Sequence, residues 1–162
     1  MKKRIILYII LTIVCMITIF YFSSRNTIES NGTSKWLIKY FVTIYEKVTK
    51  SNVNEELIIN KLNYPVRKLA HFSIYFLLGI IIYLLFLQTN LKRKLLISIS
   101  LCIIYASFDE VHQLFVFGRT AQVLDVFIDS MGSLLGILLL KIGSDRHDKK
   151  QIKHNKFNKC NN

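Results

Sequence analysis

Apolar residues run almost unbroken through four blocks of this chain, 5–22, 69–87, 95–108 and 123–140, and the segments between them are dense in charge. A helix rises about 1.5 Å per residue, so about 20 apolar residues cross the roughly 30 Å of a bilayer's hydrocarbon. Blocks of this length that are apolar all round predict membrane-spanning helices rather than half-buried ones. The third block is short. The polar run 109–113 and then Leu114 to Phe117 follow it, so its helix is expected to continue to about Leu114 and carry polar residues to the membrane boundary. Pro65, the only proline, disfavours helix at Tyr64 and suits a first helical turn, so the second spanning helix is expected to begin there. Residues 55–61 would add only a turn or two ahead of it. The tail beyond residue 142 is polar and Lys-rich and is expected to be disordered. The pattern as a whole predicts an all-α polytopic membrane bundle of about four transmembrane helices. Its parts are a leading helix (1–22), an extracytoplasmic segment (23–64), a three-helix core (65–142) and a basic tail (143–162).

Within the extracytoplasmic segment, W-L-I-K-Y-F-V-T-I-Y-E-K-V over residues 36–48 reads as an amphipathic helix. It would lie in the interface with its aromatic residues at headgroup depth, or pack on the outer face of the bundle. The first block follows Lys2, Lys3 and Arg4, but its 18 residues exceed the apolar region of a secretory signal and no A-x-A site follows. An uncleaved signal anchor is expected.

Composition agrees with this reading: 52% of residues are hydrophobic, more than a soluble core of 162 residues needs. The net charge of +12 is largely placed beside the apolar blocks, where it sets orientation and meets anionic lipid, so no nucleic-acid partner is expected. Lys2, Lys3 and Arg4, then Lys92, Arg93 and Lys94, then the lysines of the tail fall on one side of a four-span chain. The positive-inside rule makes that side the cytoplasm, with both termini cytoplasmic in a multi-pass plasma-membrane protein. Cys15 and Cys102 lie inside apolar blocks and Cys160 in the tail, so no disulfide is expected and the thiols read as packing residues.

Ionisable residues inside spanning helices are costly and mark sites. Lys68, His71, Tyr75 and Gly79 fall on one face of the second spanning helix. Tyr105, Asp109, His112 and Gln113 share a face of the third, and Asp125, Asp129, Gly132 and Gly136 a face of the fourth. Asp129 lies about 9 Å along the axis from Val123, within the outer leaflet. The charged ends of all three stripes point outward, so Arg67, Lys68, His71, Asp109, Glu110, His112, Arg119, Asp125 and Asp129 are expected to converge there, nearly charge-balanced. The G-x-x-x-G of Gly132 and Gly136 reads as a packing face within the chain rather than a dimer seam.

Three ordered motifs carry a resemblance: R-K-L-A-H-F-S-I-Y-F-L-L-G over 67–79, Y-A-S-F-D-E-V-H-Q-L-F-V-F-G-R over 105–119 and D-V-F-I-D-S-M-G-S-L-L-G over 125–136. Together, over about residues 65–140, the chain resembles the VanZ-like membrane proteins. The resemblance implies a small multi-helix membrane protein of mostly Gram-positive bacteria, some members of which lower susceptibility to teicoplanin-type glycopeptides. By position, the family's polar signature falls on Lys68, His71, Tyr75, Asp109, Glu110, His112, Gln113, Arg119, Asp125 and Asp129. Phe117 stands before Gly118 where many relatives have proline.

The chemistry stays open among several readings. Asp109, Glu110 and His112 are metal-ligand types, but neighbours on a helix point about 100° apart, and no metal or other cofactor is expected. Glu110, His112 or His71 could serve as acid and base. Arg119, or Arg67 with Lys68, could grip an anionic envelope lipid or a peptidoglycan precursor, while internal salt bridges to Asp125 or Glu110 compete. The leading expectation is an outward-facing polar pocket that engages a cell-envelope component. An enzyme acting on an envelope lipid or peptide, and a structural or partner-binding bundle, are the alternatives.

Overall fold

The computed structural model describes residues 2–25, 27–50, 54–119 and 122–160. It is helical throughout: α1 Lys2–Ser23, α2 Thr27–Thr49, α3 Glu55–Leu87, α4 Lys94–Gln113 and α5 Val123–Cys160. Four helices are long and apolar enough to cross a membrane: Lys2–Ser23, Glu55–Leu87, Lys94–Gln113 and the part of α5 over Val123–Arg146. The architecture is a helical membrane bundle.

α3 is its axle, packing against α1, α2, α4 and α5, most extensively against α5. The core is built around α3 from Tyr75, Leu78, Ile82 and Tyr83, against Cys15 and Ile19 of α1, Cys102 and Ala106 of α4 and Ile137 of α5. The glycines of the polar stripes set the closeness of the α3–α5 pair. A methyl group on Gly79 would strike the backbone carbonyl of Ser133, on Gly132 that of Phe72, and on Gly136 that of Phe76. The G-x-x-x-G face is therefore spent inside the chain, as expected. In contrast, α1 is a lightly held span whose Ile6, Ile9, Ile10, Ile13, Ile17 and Phe20 face outward, with only 11% of its apolar window buried.

Two expectations are corrected. The second spanning helix begins at Glu55, not near Pro65, and runs unbroken through that proline for 33 residues. Asn54 caps it by accepting from the Leu57 N–H at 3.1 Å, and Glu55 and Glu56 favour the positive end of the helix dipole. These local signals, with packing along the flanks, outweigh the roughly 3 kcal/mol that an interior proline costs. The second correction is the tail: α5 continues to Cys160. Extending an existing helix requires no new nucleus, and residues 144–160 contain neither Gly nor Pro, so a polar Lys-rich sequence remains helical.

The amphipathic helix is present and begins earlier than residue 36, at Thr27. Ser34, Ile38 and Val42, four apart, form its buried face, and its neighbour is α3. Trp36, Tyr40, Phe41, Tyr45 and Val48 face outward. The helix thus packs on the bundle through a narrow face and presents its aromatic stripe to the surroundings.

Candidate functional site

The polar stripes of α3, α4 and α5 meet at one end of the bundle, and α1 closes the fourth side. At the centre is Asp109, 1% exposed. Ser23, at the end of α1, donates its hydroxyl to Asp109 Oδ2 at 2.8 Å, and Gln113 Nε2 lies 3.3 Å from both that oxygen and Ser23 Oγ. Across from it on α5 is Asp129, 2% exposed, whose Oδ2 is 3.7 Å from His71 Nδ1 of α3. One ligand atom each from His71, Asp109 and Asp129 lies within 4.8 Å of the others. Tyr75 Oη, Asp109 Oδ1 and Asp129 Oδ1 are buried with no hydrogen-bond partner among the described residues.

Around this centre Lys68, Glu110 and His112 each have a partner of their own. Lys68 bonds to Asp125, joining α3 to α5, and its ammonium lies 5.1 Å from the centre of the Tyr64 ring. Glu110 accepts from the Gln122 backbone N–H, so it binds the chain just ahead of α5 and places a carboxylate at that helix's positive end. His112 turns to α1, stacked on Phe20 at 4.3 Å with Ser24 Oγ 3.0 Å from its Nε2.

Arg119 is set by a turn. Gly118 has φ 75°, and the Arg119 N–H closes on Val116 O at 3.1 Å. Position i+2 of such a turn demands positive φ, which glycine supplies, while i+1 favours proline but accepts the Phe117 found here. The guanidinium donates from Nη2 to Phe22 O at 3.3 Å, and its Nε is buried without a partner among the described residues. Burial, and then the neighbouring Arg67, pull the Arg119 pKa below its ordinary value.

Beside the carboxylate centre is a cavity of about 270 Å³ between α1, α2 and α3. Ile19, Phe22, Leu37, Val66, Ala70 and Ile74 make its wall apolar, and Arg25, Arg67, Arg119 and His71 add cationic and imidazole groups. No carboxylate lines it among the described residues. His71 belongs to both places, reaching Asp129 on one side and the cavity on the other.

Every candidate residue read from the sequence stands at this end, though not in one cluster. His71, Tyr75, Asp109, Gln113 and Asp129 form the buried centre, Arg67 and Arg119 the cavity wall, Lys68 and Asp125 a strut, and Glu110 and His112 separate braces. Sequence reasoning missed Ser23 and Arg25. The available signal was the S-S-R that ends the first apolar block, passed over because that helix read as a generic anchor.

The profile of the VanZ/LLP1 family matches residues 8–144. The chain belongs to the VanZ/LLP1 family. No curated protein and no solved structure matches it. The VanZ/LLP1 match starts within α1, so the family's pattern includes the helix that supplies Ser23, and it ends within α5 after the glycine face.

Proposed function

We propose that this VanZ/LLP1 protein holds the charged head of an anionic cell-envelope component in its arginine-lined cavity, on the extracytoplasmic side of the plasma membrane, and lowers susceptibility to teicoplanin-type glycopeptides through that contact. The observation that carries the reading is the cavity's make-up: an apolar wall joined to Arg25, Arg67 and Arg119, with no acidic residue among its described lining residues. Guanidinium groups grip phosphate or carboxylate in paired hydrogen bonds, and an apolar wall suits the hydrocarbon part of the same molecule. Arg67 forms no ion pair with a carboxylate among the described residues, and it depresses the pKa of Arg119. A bound anion would relieve that repulsion. The orientation rests on the lysines and arginines of residues 2–4, 92–94 and 149–159, which put the cavity's end of the bundle outside.

The test is teicoplanin susceptibility of a Gram-positive host carrying wild type, a double Arg67→Gln, Arg119→Gln variant, or empty vector, with equal membrane levels of both proteins. Tolerance with wild type that falls to the vector level in the double variant is expected. Equal susceptibility of wild type and vector would remove the resistance role.

One observation favours a second reading, a hydrolase or transferase acting on an envelope lipid or peptide. His71 lines the cavity and Asp129 stands behind it, so an imidazole backed by a carboxylate borders the space a substrate would fill. Glu110 and His112, the other acid and base candidates, face different partners. This reading requires a changed lipid or muropeptide profile on expression, and identical profiles would remove it.

A further inference from the structure

Three potential ligands come together here from three helices: His71 of α3, Asp109 of α4 and Asp129 of α5, with one donor atom of each within 4.8 Å of the others. We propose that they form a binding site for a divalent transition metal ion, with zinc the best match to the ligand chemistry. This inference is independent of whether the cavity takes a lipid.

Four observations support it. The first is the donor set: one imidazole and two carboxylates are three protein ligands of a kind that holds zinc while leaving a further position open. The second is the unused atoms. Asp109 Oδ1 and Asp129 Oδ1 have no partner among the described residues, although both residues are at least 98% buried, and buried polar atoms are ordinarily satisfied. The third is orientation from behind. Ser23 and Gln113 hold Asp109 by Oδ2, which leaves Oδ1 free, in the way that outer partners fix a ligating carboxylate. Tyr75 Oη, wholly buried and also without a hydrogen-bond partner among the described residues, would be a fourth donor, to the ion or its bound water. The fourth is charge. Lys68 is engaged by Asp125, so no lysine reaches the two carboxyl groups, and a divalent cation would match their charge when ionised, where hydrocarbon would penalise it.

A zinc ion draws its oxygen and nitrogen ligands to about 2.0–2.2 Å. The 3.7 Å between His71 Nδ1 and Asp129 Oδ2 is already close to the separation of two ligands on one such ion, and the set as a whole, within 4.8 Å, would have to draw in around it.

The experiment uses the full chain purified in detergent, stripped with chelator and re-dialysed against zinc. Elemental analysis is expected to find about one ion per chain, and a thermal midpoint that rises with zinc. Cobalt(II) added to the stripped wild type should give the visible absorption of a low-coordinate site, a readout that needs no variant to fold. Asp129→Asn and His71→Gln, each checked for folding by circular dichroism and elution volume, should weaken zinc binding by about tenfold or more. Asp145→Asn, far from the site, should retain it. Wild type that holds no stoichiometric zinc and gives no cobalt spectrum would overturn the proposal, as would folded Asp129→Asn and His71→Gln proteins that bind zinc like wild type.

Discussion

A single hydroxyl shows how sparingly the buried centre is supported. Ser23 is the one described group outside α4 that donates to Asp109, and its neighbour Gln113 reaches both residues. Ser23→Ala removes a donor from a buried carboxyl group and should cost about 1–3 kcal/mol, read as a lowered unfolding midpoint in detergent. Thr18→Ala is the comparison. Its hydroxyl bonds only its own helix's Val14 carbonyl on an exposed face, and its loss should stay within about 0.5 kcal/mol. Equal effects of the two would mean that the Ser23 contact contributes nothing particular.

Among elements, the α3–α5 pair is the one that glycine makes possible. In an ordinary helix, Gly→Ala stabilises by roughly 0.5–1 kcal/mol. Gly143 has open space around it and should follow that rule, whereas a methyl on Gly136 meets the Phe76 carbonyl. Gly143→Ala should therefore raise the midpoint and Gly136→Ala should lower it, the latter by about 1–3 kcal/mol. The same sign at both positions would contradict the close approach. Much of this was legible in the sequence. The helical spacing of Lys68, His71 and Tyr75, of Asp109 and Gln113, and of Asp125 and Asp129 put each residue on the correct face, because periodicity along one helix is a local property. Two things were not legible. Pro65 argued for a boundary that Asn54 and the packing of α3 overrode. The step of about 100° between the adjacent Asp109 and Glu110 was legible, but which neighbours each would meet depends on how the helices pack, and no spacing within α4 could reveal that Asp109 meets His71 and Asp129 while Glu110 reaches toward α5.

For the whole molecule, the four spans and the placement of lysine and arginine make orientation a testable matter. A reporter fused at the C-terminus should be active only if it suits the cytoplasm, and a cysteine introduced at Phe117 should be labelled from outside intact cells by an impermeant reagent. The reverse pattern would turn the bundle over and put the arginine-lined cavity in the cytoplasm. α3 also exceeds what a bilayer requires: 33 residues make a rod of about 50 Å, so some 20 Å extends past the hydrocarbon. α2 docks along this helix, and Lys39 of α2 pairs with Glu55 at its start at 3.3 Å.

The light packing of α1 carries a consequence for how the protein is made. Its hydroxyl at Ser23 waits for a carboxyl group that lies 86 residues later in the chain. During synthesis α1 reaches the lipid before α4, and its outward-facing isoleucines suit it to reside there. α4 arrives afterwards carrying Asp109 and Glu110, the kind of segment a bilayer receives reluctantly. Ser23, together with the Met16 carbonyl that accepts from Tyr105 at 2.7 Å, gives that segment a prepared berth.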